Sequence, residues 1–166
     1  MQQKDDSRGP FEGVMQDYEA RRVAALAMGG PEKLARRARP GVLNARERIE
    51  RLCDAESFLE SGLFGTSASN WADREKTPTD GKIAGFGKID GRPVAVAAND
   101  FTVMGASSSS TNGRKLGHLK RVATQRGMPI VFLGESSGAR MPDHMGSRGM
   151  GALLGNDPSQ YQRMRE

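Results

Sequence analysis

Cysteine is almost absent from this chain. Cys53 is the only one, which excludes a disulfide framework and a cysteine-built metal site. Histidine is nearly as scarce. His118 and His144 are the whole supply, too few for an imidazole-rich metal centre. Aromatic residues make up 5% of the chain, so any core is modest and largely aliphatic. No run approaches the ~18 apolar residues of a membrane span. The first residues, MQQKDDSRG, lack the apolar segment of a secretory signal and do not resemble a transit peptide. These absences set the expectation: a reducing, cytoplasmic setting, no membrane and no metal.

Glycine, by contrast, is plentiful, 21 of 166 residues and mostly in the second half. That suits a loop-rich α/β site better than a helical bundle. The length gives room for one domain. The formal charge is +5, and a basic surface suits nucleic acid or an anionic metabolite. Much of that charge lies in one short stretch: Lys33, Arg36, Arg37, Arg39, Arg46, Arg48 and Arg51. Two readings stay open for it, a solvated helical face and an anion-binding role.

Along the chain, residues 1–10 read as disordered. A helical pattern runs over 11–28 and stops at the glycines before Pro31. A short basic helix spans 32–37. Asn44, three residues before Glu47, resembles a capping box opening a helix over 45–53. The stretch 1–60 is therefore a helical arm, too poor in large apolar residues to bury by itself. Residues 61–81, with Trp71, read as a long loop. From residue 82 the pattern turns to strands. Apolar runs over 82–89 and 93–98 flank an Asp-Gly pair, a strong hairpin signal. A helix over 112–126, capped by Asn112, and a buried strand over 129–133 complete a βαβ unit. Its two exit loops, 100–111 and 134–140, open at one sheet edge, where α/β folds bind ligands. The last residues, DPSQYQRMRE, read as the start of an exposed helix with no sheet to complete. They suggest that 82–166 is part of a larger domain or chain.

The most informative segment is 128–140, MPIVFLGESSGAR. A strand that ends in a turn of small residues exposes backbone N–H groups and admits a close ligand. Two such groups can hold a developing oxyanion, often the largest catalytic term in acyl chemistry. An acyl-transfer site built from main chain follows. The same segment contains G-x-S-x-G at 134–138, which would make Ser136 the nucleophile of a serine hydrolase. Asp143 and His144 are the nearby candidates for its partners, and they sit too close together in sequence. His118 lies inside a predicted helix, where a lone histidine is usually solvated. The glycine spacings at 85–87 and 146–151 lack the strand-to-helix context of a dinucleotide site.

Six stretches, in order, resemble the N-terminal half of the carboxyltransferase (β) subunit of biotin-dependent acyl-CoA carboxylases, the family that includes propionyl-CoA carboxylase β subunits. They are NARERI at 44–49, SFLE at 57–60, DGKIAGFG at 80–87, GRPV at 91–94, DFTVMG at 100–105 and ESSGAR at 135–140. The resemblance covers roughly residues 34–166. It implies an α/β, crotonase-like fold: ββα units in a spiral, here incomplete, with a helical N-terminal arm. It implies a reaction that moves a carboxyl group from carboxybiotin to the α-carbon of an acyl-CoA, through an enolate held by backbone amides. By motif matching those amides are Ser137 and Gly138. Gly105, Ala106 and Ser107 would shape the acyl pocket. Lys115, Arg140, Arg46 and Arg48 would attract the coenzyme A phosphates.

The implied partners are acyl-CoA, a C-terminal carboxyltransferase half or neighbouring subunit, and a biotin carboxylase or biotin carrier subunit, in a homo- or hetero-oligomer. Nucleic acid is not among them. Three departures stand out. Ser137 and Ala106 replace glycines, and Glu135 replaces an aspartate. The family's second half, a biotinylated Met-Lys-Met segment and a zinc ribbon are all missing from the sequence. The expectation is that the chain alone is inactive. A non-catalytic acyl-CoA-binding or assembly module is the alternative.

Overall fold

The computed structural model describes residue 9, residues 11–68 and residues 73–144, without the side chains of Pro142 and His144. The readings made on residues 1–8, on Trp71, on the glycines past 145 and on the last helix lie outside the described residues.

Three helices come first: α1 (Glu12–Leu26), α2 (Pro31–Ala38) and α3 (Ala45–Leu52). Proline opens α2, where its missing N–H costs nothing. The Asn44 capping box forms as expected. The Asn44 side chain accepts from the Arg46 and Glu47 amides, and Glu47 accepts from the Asn44 amide at 2.7 Å. Along α1, Phe11, Val14, Met15 and Val23 stay exposed, and only Ala25 is buried. That agrees with an arm too small to bury itself. The arm's end is nonetheless anchored. The Gly29 amide donates to Thr102 Oγ1 at 2.9 Å, and a Cβ there would sit 2.2 Å from the Thr102 carbonyl oxygen.

The sheet has the order β1-β2-β3-β4: β1 (Leu59–Glu60), β2 (Lys82–Ile89), β3 (Arg92–Asn99) and β4 (Ile130–Leu133). Strand β1 falls where only a motif was noted. The hairpin β2–β3 turns at Asp90 and Gly91, whose φ values of 50° and 75° are those of a type I′ turn. The Asp54 carboxylate accepts both turn amides, at 2.9 and 2.8 Å. Helix α4 (Ser110–Arg126) then carries the chain to β4, which pairs parallel to β3. The described core is thus one ββα unit and the first strand of the next.

Each face of the sheet is covered by one helix. Ile83, Val94, Val96 and Ala98 pack on Ala45, Ile49 and Cys53 of the arm, so the arm's third helix belongs to the core. Ala84, Ala95 and Ala97 meet Leu119 and Ala123 of α4. Alanines on that face let α4 lie close. Gly85 and Gly87 serve packing too. A Cβ at Gly85 would be 2.2 Å from the Leu59 carbonyl oxygen, and one at Gly87 would be 3.1 Å from Cys53 Sγ.

Three expectations are corrected. The α4 N-cap is Ser109, two residues after the alanine-serine turn. Asn112 is instead the third helical residue, reaching back in a capping box. Strand β4 is not fully buried: among the described residues it is the sheet edge, and Phe132 is 50% exposed. The stretch 61–81 ends in a buried 3₁₀ turn, Pro78–Gly81, rather than in open loop.

Candidate functional site

Because β3 and β4 run parallel, their exit loops emerge side by side, as expected. The loops are stitched by main chain. The Ser137 amide donates to the Gly105 carbonyl at 2.9 Å, the Ser108 amide to the Gly138 carbonyl at 2.8 Å, and the Arg140 amide to the Ser108 carbonyl at 2.9 Å. The first loop turns at Met104, Gly105 and Ala106, with φ values of 49°, 61° and 51°. Two of these three are not glycine, so the turn is strained. It also runs close to its neighbour. A Cβ on Gly105 would lie 2.5 Å from Ser137 Oγ.

Beneath the loops lies a buried polar cluster. Asp80, fully buried, accepts from Arg140 Nη1 at 2.5 Å and from the Ser109 hydroxyl. Arg140 Nε donates to Ser107 Oγ at 3.3 Å, and Asn112 Nδ2 donates to the Ser107 carbonyl at 3.0 Å. Asp143 Oδ1 accepts from both the Ser110 amide and hydroxyl at 3.1 Å. One carboxylate thereby fixes one arginine, and through it both loops. Buried ion pairs hold only when further hydrogen bonds support them; Ser109 and Ser107 supply one each, and Arg140 Nη2 has no partner among the described residues.

The structure brings Gly105, Ala106, Ser107, Ser137, Gly138 and Arg140 together. Their individual environments differ from the sequence reading. The Ser137 amide is taken up by Gly105, and the Gly138 amide donates to Ser136 Oγ at 3.1 Å. Ser107 is buried in the cluster, not displayed in a pocket. Arg140 is 6% exposed and paired with Asp80, so it is not free for a phosphate. Arg46 pairs with Glu60 at 2.8 Å, and Arg48 lies 3.7 Å from Glu135. Lys115 Nζ donates to the carbonyls of Thr79, at 3.1 Å, and Lys82. Burial lowers its pKa to about 8 despite the raising effect of Glu60 and Asp80.

Some residues at the site carried no motif. Lys82 is 6% exposed, donates to Asn99 Oδ1 and lies 4.7 Å from the Phe132 ring centre. Burial lowers its pKa to about 8 as well. Asn99 Nδ2 donates to the Glu135 carbonyl at 2.6 Å. Asp100 is buried, and burial raises its pKa in spite of two bonds from Thr102. A lysine opening one apolar strand and an asparagine closing its neighbour were the signal that could have found this pair.

Among the described residues, Ser136 has no base beside it. Ser136 Oγ donates to the Ala106 carbonyl at 3.1 Å. His118 sits on α4 against Phe86, with Nδ1 3.1 Å from Arg121 Nη2. Asp143 is occupied by Ser110, and the His144 side chain is outside the described residues. Among the described residues no cluster could hold a metal ion, and no helix is long and apolar enough to cross a membrane.

Beside Gly105 opens a cleft of about 420 Å³, lined by Lys33, Arg36 and Arg37 of α2 with Phe101 and Met104. Lys33 and Arg36 are exposed and make no ion pair among the described residues. Cations facing a groove that ends at a main-chain turn suit a phosphorylated carrier whose reactive end lies at the turn.

The carboxyl transferase domain model matches residues 36–164. The chain belongs to that family. It is 38% identical over 136 residues to the propionyl-CoA carboxylase beta chain of Cereibacter sphaeroides, covering 81% of this chain and 27% of that one. Transcarboxylase 12S, a hexamer assembly solved with methylmalonyl-coenzyme A and methylmalonic acid bound, is similar over 95% of this chain and 29% of its own, with a TM-score of 0.76 and 33% identity. A single-chain, multi-domain long-chain acyl-CoA carboxylase is similar over 87% of this chain and 16% of its own, with a TM-score of 0.74 and 27% identity. The α/β, crotonase-like fold inferred from the six stretches is the fold of these carboxyltransferases. The chain spans about a quarter of the length of the curated relatives it matches.

Proposed function

We propose that this chain is the acyl-CoA-binding part of a biotin-dependent acyl-CoA carboxyltransferase. The observation that carries the reading is the placement of Lys33 and Arg36 of α2, which make no ion pair among the described residues, against the turn at Gly105, beside the loop 134–140. Coenzyme A phosphates lie on Lys33 and Arg36, and the thioester reaches the main chain at 105–107 and 136–138. Arg46, Arg48, Lys115 and Arg140, already paired, act as scaffold and background charge. Of the two oxyanion amides, Gly138 is the easier to release. A rotation of the Ser136 side chain frees it, at the cost of the Oγ bond to the Ala106 carbonyl. The Ser137 amide joins only if the loop moves away from Gly105. Preorganised donors of this kind stabilise an enolate oxygen as charge develops on it.

Carboxybiotin on a partner carrier fits what these residues leave unsupplied, since it provides the carboxyl group and the base. Glu135 is held by arginines, Asp100 is buried under the loops, and among the described residues Ser136 has no histidine. The chain binds, orients and polarises the thioester. The remaining carboxyltransferase half, or a neighbouring subunit in an oligomer, completes the active site. A cytoplasmic setting belongs to the same reading and suits the free buried thiol of Cys53.

Calorimetry with propionyl-CoA tests the first step, and saturable binding without turnover is expected. No binding at millimolar ligand would refute it. A second reading, a non-catalytic acyl-CoA-binding module, is favoured by the engaged amides and the Ser137 side chain. It predicts no carboxylated thioester after a C-terminal half and a carboxybiotin carrier are added back.

A further inference from the structure

We propose that Glu135 is a positioning residue through which the N-terminal arm sets the loop that carries the Ser137 and Gly138 amides. The inference rests on the acyl-CoA reading for its consequence, though not for its geometry.

Glu135 is gripped at both ends. Arg37 of α2 meets its carboxylate as a fork, Nη1 donating to Oε1 at 2.9 Å and Nη2 to Oε2. Arg48 of α3 stands 3.7 Å from the same Oε2. Arg37 is itself held. Its guanidinium lies 5.8 Å from the Phe101 ring centre, and its Nε donates to the Leu43 carbonyl at 3.4 Å. At the other end, the Glu135 carbonyl accepts from Asn99 Nδ2 at 2.6 Å, and Lys82 donates to Asn99 Oδ1. That second bond fixes which way the Asn99 amide faces, so the donor to Glu135 has no alternative orientation.

The next residue, Ser136, bonds to the Ala106 carbonyl at 3.1 Å, and the one after is Ser137. Few soft torsions separate the clamp from the amides. A bidentate arginine–carboxylate pair fixes direction as well as distance. Here two helices of the arm hold one side chain of the loop. The arm, which otherwise looks like a layer laid on the sheet, thus becomes part of the site. A glutamate in place of the family pattern's aspartate adds one methylene of reach toward it.

The clamp is only partly buried, with side-chain exposures of 15% for Arg37, 31% for Glu135 and 28% for Arg48. Its removal is therefore expected to loosen the loop without unfolding the chain. The test uses the full chain with Glu135→Gln, Glu135→Asp and Arg37→Gln. Two quantities are read: amide hydrogen exchange at 136–139, and the affinity for propionyl-CoA relative to coenzyme A.

Glu135→Gln is expected to speed exchange at 136–139 by roughly five- to thirty-fold. Exchange at Ile49 and Leu119 stays unchanged. The same variant loses the affinity advantage of the thioester over the free coenzyme. Arg37→Gln produces the same two changes, and Glu135→Asp lies between it and the unaltered chain. Unchanged exchange at 136–139 in Glu135→Gln or in Arg37→Gln overturns the clamp. If the unaltered chain binds no acyl-CoA, the proposed function fails, while the exchange measurement still decides the clamp.

Discussion

The loop cluster and the α2 cleft lie next to each other and treat charge in opposite ways. In the cluster every cation has a dedicated acceptor. Arg140 has Asp80, and Lys115 has two carbonyls. In the cleft, Lys33 and Arg36 face open space beside Arg37. The cleft lining carries three cations and no carboxylate, whereas the cluster sets Arg140 on Asp80, so one region uses charge to fix backbone and the other leaves Lys33 and Arg36 available. Residue type alone does not say which cation meets a ligand. A neighbouring carboxylate or pair of carbonyls decides it.

The largest effect that would break this comparison comes from the cluster. Arg140→Met leaves Asp80 buried without its counter-charge and is expected to cost about 3–5 kcal/mol of stability, read as a lower urea midpoint. If the midpoint stays put, the cluster is not holding the loops.

The next test is pH. Lys82 has a folded pKa of about 8 because burial disfavours its charge, below the ordinary value it regains on unfolding. Between these values the unfolded chain binds more protons, so stability rises with pH from about 8 toward about 10. Below about 8 the full penalty of the buried charge is present. The rise is on the order of a few kcal/mol at full extent and should shrink in Lys82→Met. A flat urea-midpoint profile over that range would contradict the burial of the charge.

On the cleft side, Lys33→Glu with Arg36→Glu is expected to weaken acyl-CoA binding by about 1.5–3 kcal/mol. The melting temperature of these exposed positions stays nearly unchanged. Equal binding by this double variant would move the phosphates elsewhere. The smallest effect sharpens the boundary between the two regions. Ala106 sits at φ 51°, so Ala106→Gly should stabilise the turn by about 1 kcal/mol, measured by chemical denaturation.

The hairpin, the Asn44 cap, the parallel β3–α4–β4 unit and the shared mouth of its two loops were all legible in the sequence. Each rests on local chemistry: a turn pair that needs positive φ, an asparagine three residues before a glutamate, an apolar run after a helix stop. What stayed hidden depends on contacts far apart in the chain. Asp80 and Arg140 are separated by sixty residues, so nothing local marked Arg140 for a buried carboxylate. The same holds for Arg37 and Glu135. Strand β4 looked buried because its residues are apolar, yet position at the sheet edge, not composition, sets its exposure. Serine outranked Asn112 as the α4 cap because Ser109 sits at the start of the helix with the extended φ and ψ that a cap requires.

The most direct measurement is an amide-resolved NMR titration of the full chain with propionyl-CoA. The amides of Gly105, Ser137 and Gly138 are expected to shift together with those of Lys33 and Arg36, saturating on one binding curve. Shifts confined to other surfaces, with the loop amides 136–138 unmoved at saturation, would contradict the acyl-CoA reading.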